Sequence, residues 1–228
     1  MNPFIKQIIK DCIYKIPSSA ILMFHHIGVE AQNAISSCVL SKDNFERLCE
    51  SYARVSGTVD ESIHDNYILS FTFDDGFSDL YETAYPIMSK FGIPFTAFIV
   101  ESFIGSPGYL TLEQIKEMSL NPNVEIGSHG FSHKRLTELS DYEIANEIVG
   151  TKHRLEQLIE KPIKKFAYSH GQFDKRCNSY VSVYDTAYAA DSLPLNCFTR
   201  KRRYSYPRLN VTDDTFSDFV SYFDRLVK

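Results

Sequence analysis

Short apolar runs alternate along the chain with segments in which apolar residues recur every three or four positions. Seven runs of five to seven residues read as strands: "AILMF" (20–24), "YILSFTF" (67–73), "PFTAFIV" (94–100), "VEIGS" (124–128), "IKKFAY" (163–168), "YDTAYAA" (184–190) and "YPRLNV" (206–211). Helical spacing fills the intervals at 41–53, 79–91, 111–119, 141–159 and 213–227. Ser41 and Gly92 mark a start and a stop, and the pairs Thr111/Gln114 and Ser140/Glu143 have the spacing of capping boxes. In the 141–159 segment Ile144, Ile148, Leu155 and Ile159 share one face, which gives that helix a side to bury.

Strand–helix alternation predicts a parallel sheet with covering helices, because parallel neighbours need crossover connections. No Gly/Ser- or Pro-rich linker divides the 228 residues and no repeat is present, so the expectation is one α/β domain over 1–228. Within "ILSFTFDD" the large Leu69, Phe71 and Phe73 alternate with the small Ser70 and Thr72. Such parity suits a barrel wall whose aromatics face outer helices and whose small groups fill the interior, with Asp74 continuing the inward set.

Composition narrows the partners. Hydrophobic residues make up 43% and charged residues 23%, as in soluble globular chains, and the formal charge is −5. Lysine and arginine are scattered apart from "RKRR" at 200–203, so no basic face is available and nucleic acid is not an expected partner. Five cysteines (Cys12, Cys38, Cys49, Cys177, Cys197) form no CxxC pair and are read as reduced. The N-terminus lacks a continuous apolar h-region and a cleavage site. Phe4, Ile5, Ile8, Ile9 and Ile13 instead suit an amphipathic helix over 1–16. The expected location is therefore cytoplasmic, with peripheral membrane association through that helix as the alternative. No apolar stretch reaches the ~20 residues of a membrane span.

Polar, ligand-capable residues collect behind the strands: His25 and His26 after "ILMF", Asp74 and Asp75 after "ILSFTF", His129 after "VEIGS", Ser169 and His170 after "FAY". C-terminal strand ends are where α/β barrels build their sites. Two adjacent carboxylates repel, and burial raises the pKa of at least one unless a cation or hydrogen bonds hold the pair ionised. "SHGFSH" supplies His129 and His133, four residues apart. Two imidazoles and a carboxylate make the three-ligand inventory of a catalytic divalent metal, and the second carboxylate is left over for proton transfer.

"FTFDDG" and "SHGFSH" resemble, in order and interval, the first two motifs of the polysaccharide deacetylases, the NodB-homology or carbohydrate esterase 4 family. "ILMFHHIG" resembles the "LMYHxI" strand that opens one branch of that family, "KKFAYSHG" its "FAYPxG" segment and "YSYPRLNV" its closing "LPRIxV", so the likeness covers about residues 20–211. It implies a distorted (β/α) barrel with fewer than eight repeats that removes N-acetyl groups from an amino sugar of a bacterial glycan or its precursor. Carried over by position, Asp74 would be the general base. Asp75, His129 and His133 would hold one divalent metal ion, zinc foremost, with nickel, cobalt, manganese or iron as alternatives. A backbone N–H around His170 and Gly171 would face the oxyanion, and Arg208 would pair with Asp74.

The third motif departs from the better-known branch, with Ala167 where an arginine stands and Ser169 where a proline stands, and the Leu-x-His motif that supplies the general acid there is absent. His25, His26 and His170 are the candidates for that acid, and His25 is preferred because it aligns with the histidine of the "YH" motif. With no tryptophan, a platform for sugar rings would come from residues such as Phe131, Tyr168 or Phe173. Two rival readings keep the fold and change the role: a non-catalytic carbohydrate-binding protein, and a deacylase of another amide or an O-acetyl ester.

Overall fold

The computed structural model of the protein describes residues 18–28 and 38–227, so the amphipathic helix expected over 1–16 lies outside the described residues. Among the described residues nine strands are present: β1 (Ala20–Phe24), β2 (His26–Ile27), β3 (Val39–Leu40), β4 (Leu69–Phe73), β5 (Phe95–Ile99), β6 (Val124–Ser128), β7 (Lys165–Ala167), β8 (Thr186–Tyr188) and β9 (Leu209–Asn210). Seven of them form one sheet in the order β8-β7-β6-β5-β4-β1-β9, every neighbouring pair parallel. The sheet curls until its edges meet. Tyr206, just ahead of β9, makes a parallel bridge to Tyr188 of β8, with the Tyr206 N–H donating to Ala187 (2.9 Å) and the Ala189 N–H to Tyr206 (2.8 Å). This is the expected barrel with fewer than eight repeats.

Side-chain parity sorts the core into two layers. Leu22, Phe24, Phe71 and Phe73 point outward, where Phe45 of the Lys42–Tyr52 helix meets Phe24 edge-on at 5.5 Å. Inside the barrel Ile21, Phe98, Ala167, Tyr188 and Tyr206 pack together. The interior is thus filled partly by rings on β5 and β8 as well as by the small residues of β4. Capping boxes close at Thr111/Gln114 and Ser140/Glu143 as their spacing predicts, and Gly92 ends the Tyr85–Phe91 helix with φ 66°. Two helical segments contain a widened turn, Leu80–Ala84 and Asn146–Gly150. The two-residue ladder β2–β3, the Val59–His64 helix with its Thr58/Glu61 capping box, and the Cys177–Val181 helix add to the expected set. Among the described residues no helix is long and apolar enough to cross a membrane.

Candidate active site

The strands deliver their C-terminal residues to one end of the barrel, around a cavity of about 460 Å³, within the range of small-molecule sites. Asp74 follows β4 and keeps its inward parity. Its oxygens accept from Arg208 at 2.6 and 2.7 Å in a fork-to-fork pair that is almost fully buried, 3% and 1% exposed. Arg208 also donates to the Ala189 carbonyl and the Thr72 hydroxyl, both at 3.2 Å, and lies over the Phe98 ring. Burial alone would raise the Asp74 carboxyl. Arg208, with His129 and His25, reverses that and holds it below its ordinary value. The "PRL" arginine is therefore the internal partner of Asp74, buried inside the barrel.

Asp75 turns away from Asp74 because its backbone is left-handed, φ 69°, a conformation that costs energy for a residue with a Cβ. Gly76 follows at φ 77°, where a Cβ would press on the Ile99 side chain at 3.2 Å. The turn aims the Asp75 carboxylate at two imidazoles: its Oδ1 lies 3.1 Å from His133 Nε2 and 3.4 Å from His129 Nε2. Neither contact is aligned as a hydrogen bond, and this buried oxygen has no hydrogen-bond partner. His129 Nδ1 lies 2.8 Å from the Ala167 carbonyl, which can only accept, so Nδ1 carries a proton, and in its neutral form the ring would present the Nε2 lone pair to Asp75. Two facing lone pairs repel unless a cation lies between them. Donor atoms of Asp75, His129 and His133 all lie within 4.8 Å of one another, so the residues fit a divalent ion with nitrogen and oxygen ligands. Burial would raise the Asp75 carboxyl, and protonated, donating imidazoles at 129 and 133 would hold it well below the usual carboxylate range, a positive charge that a bound cation would supply instead.

The remaining sequence candidates divide. His25 lines the cavity with its Nδ1 buried and unpartnered, and burial, only partly offset by Asp74 and Asp75, lowers its pKa from the ordinary value of 6.5. His26 also lines it, but its Nδ1 is bonded to Asp79 at 2.7 Å and its ring lies 3.7 Å from that of Phe77. His170 and Gly171 reach the cavity in the left-handed region, at φ 58° and 65°. The Gly171 N–H donates to the Tyr168 carbonyl at 2.8 Å, so that donor is engaged within its own turn.

Tyr168 lines the cavity, with its ring and hydroxyl both engaged by protein neighbours. Its ring stacks on Phe173 at 4.4 Å, its hydroxyl donates to the Tyr204 carbonyl at 3.0 Å, and burial pushes its phenol well above the ordinary range. Phe173 is thereby spent on packing, and Phe131 lies beneath Arg154, away from the cavity. Phe77 and Tyr109, joined by an antiparallel bridge and stacked at 5.0 Å, supply the aromatic wall. No periodicity marked them, because the bridge joins two irregular loops.

A family model described as polysaccharide deacetylase matches residues 63–189, more than half of the chain. The chain belongs to the polysaccharide deacetylase family. It is 29% identical to YxkH of Bacillus subtilis over 136 residues, 60% of this chain and 48% of that one. It is 23% identical over 165 residues to the poly-beta-1,6-N-acetyl-D-glucosamine N-deacetylase of Staphylococcus aureus, 67% of this chain and 57% of that one. The chain thus spans about half the length of these curated relatives. Among solved structures, the Streptococcus pyogenes deacetylase PplD superimposes with a TM-score of 0.80 at 20% identity, over 92% of this chain and 99% of that one. IcaB from Ammonifex degensii gives 0.74 at 20%, over 91% and 97%. At these identities the superpositions establish the deacetylase fold.

Proposed function

We propose that this family member is a metal-dependent hydrolase that removes the N-acetyl group from an amino sugar, releasing acetate and the free amine. The observation that carries the reading is the unpartnered Asp75 Oδ1 facing two imidazole nitrogens, directly beside a carboxylate held ionised by Arg208. A scaffold that only bound sugars would gain nothing from a buried base next to a ligand set. The activity for which the Staphylococcus aureus relative is named supports N-acetylglucosamine units as the substrate class.

In this reading Asp75, His129 and His133 hold one divalent ion, with zinc the first choice for a site of two imidazoles and one carboxylate. When bound, such an ion supplies Lewis-acid activation of water and of the acyl oxygen. Asp74 Oδ2, 3.8 Å from His129 Nε2, takes the proton of the attacking water as its oxygen adds to the acyl carbon. Arg208 keeps Asp74 ionised before that step and orients it. The C–N bond then breaks, and the leaving nitrogen takes a proton from the imidazolium form of His25, which lines the cavity and is favoured by the nearby Asp74 and Asp75 against the effect of burial. The N–H of His170 is the backbone donor left to face the developing oxyanion once that of Gly171 is assigned to its turn.

The test is acetate release from a panel of N-acetylated sugars, O-acetylated sugars and a non-sugar acetamide, with chelated and metal-restored protein compared. Release from the N-acetylated sugars in the metal-restored protein only is the expected result. Release from the O-acetyl esters alone would move the activity to ester cleavage, and no release from any compound would leave a binding protein.

A further inference from the structure

Metal-ligand histidines on a loop are held in place only if the loop's own polar groups have partners, and the His129–His133 turn is bonded on every side. Glu147, buried to 4% exposure on the widened turn Asn146–Gly150, accepts the N–H groups of Phe131 (2.7 Å) and Ser132 (2.9 Å) through Oε2 and the Ser132 hydroxyl through Oε1. The carbonyls of Gly130 and Phe131 accept from the N–H groups of Glu101 and Ser102. The two ligand residues themselves are tied by the departing third motif: the Ser169 hydroxyl donates to the His129 carbonyl at 2.9 Å, and His170 Nε2 donates to the His133 carbonyl at 3.1 Å. The His170 ring also lies 4.5 Å from that of His133.

The geometry points to Glu147, Ser169 and His170 as positioning residues of the metal centre, with Ser-His at 169–170 serving as a clamp on the two ligand-bearing residues. A proline at 169 could rigidify the loop but has no side-chain donor for the His129 carbonyl. His133 sits at φ 58°, a conformation that its surroundings must hold, and the His170 bond to its carbonyl is the contact that does so from the cavity side. The altered motif therefore fits a site built to bind metal, and the inference rests on the metal reading proposed above.

The experiment is titration of the chelator-stripped full chain with Zn²⁺ in competition with a chromophoric chelator, together with the visible spectrum of the Co²⁺-loaded protein. Outer-layer groups of this kind are worth about 10- to 100-fold in metal affinity. His170→Ala and Ser169→Ala are expected to weaken Zn²⁺ binding by about 10-fold each, and Glu147→Gln by more. His170→Gln, which keeps an N–H donor at similar reach, restores affinity, whereas His170→Phe, which keeps only the ring contact, does not. The thermal midpoint of the metal-free His170 variants stays at the wild-type value. Wild-type affinity in both His170→Ala and His170→Phe, or failure of His170→Gln to recover, overturns the proposal while leaving the metal reading intact. A wild-type chain that takes up neither ion overturns both. If Glu147→Gln does not fold, the His170 series decides alone.

Discussion

Replacing Arg208 by methionine keeps an apolar chain over Phe98 and removes the guanidinium bonded to Asp74. Breaking a buried ion pair by deleting one partner costs about 3–5 kcal/mol, against about 0–1 kcal/mol for an exposed pair, and this pair is buried on both sides. The pH dependence follows from the sign of the Asp74 shift. Burial raises the carboxyl and Arg208, with His129 and His25, outweighs it, so the folded pKa lies below the unfolded 3.8 and contributes stability above that value that is lost as pH falls through the lowered one. In Arg208→Met burial prevails and the folded state prefers the protonated acid. The deficit is then full at neutral pH and shrinks on acidification, by up to about 1.4 kcal/mol per pH unit. Urea unfolding of metal-stripped wild type and variant at about pH 7 and about pH 5 measures both features. The lost bonds to Ala189 and Thr72 leave a part that does not depend on pH. A gap below about 1 kcal/mol at pH 7, as for an exposed pair, or one that does not narrow at pH 5, would refute the reasoning.

Asp75→Asn is expected to lose the metal, whereas Asp74→Asn retains it and slows turnover by about 10²- to 10⁴-fold; equal metal loss in both would merge the two roles. His25→Ala should flatten the alkaline limb of the pH–rate profile, where activity falls as the proton donor is lost, and slow amide cleavage far more than ester cleavage, because an amine leaves only when protonated; equal slowing makes His25 a positioning group. Gly130→Ala puts a Cβ 2.9 Å from Glu147 Oε2 at φ 86°, so it should cost at least about 1–2 kcal/mol and lower metal affinity, read by thermal midpoint and Zn²⁺ titration.

The sheet was legible because its strands are short, apolar and spaced by helical patterns, and all seven appear where expected, Ala20–Phe24 and Val124–Ser128 with the expected bounds and the other five trimmed at their ends. The trimming has a cause in "YPRLNV": Tyr206 bonds to one edge of the sheet and Leu209–Asn210 to the other, so one extended segment closes the barrel without being a continuous ladder on either side. His25, Asp74, Asp75 and His129 converge because each lies just beyond the C-terminal end of a strand, and strand ends meet in a closed sheet; His133 reaches the cavity from the loop after β6, and Arg208, just ahead of β9, reaches it from inside the barrel. Parity also fixes how Tyr168 sits: Phe166 points outward and Ala167 inward, so the Tyr168 ring points outward and its hydroxyl meets Tyr204, while the residue still lines the cavity. Glu147 left no trace in the pattern, since it occupies the apolar face between Ile144 and Ile148 and is accommodated by a widened turn that periodicity does not reveal. Its identity as a buried acid among apolar neighbours was the available signal.

The central claim is a single divalent ion at Asp75, His129 and His133 with Asp74 as the base, and stepwise return of Zn²⁺ to the chelated protein tests it most directly. With acetate release from an N-acetylglucosamine oligomer as the readout, activity should be lost on chelation and rise linearly to a plateau at one equivalent of metal. In Asp74→Asn the same equivalent should bind without restoring release. Full activity in the chelated protein, or a plateau reached only well beyond one equivalent, would contradict it.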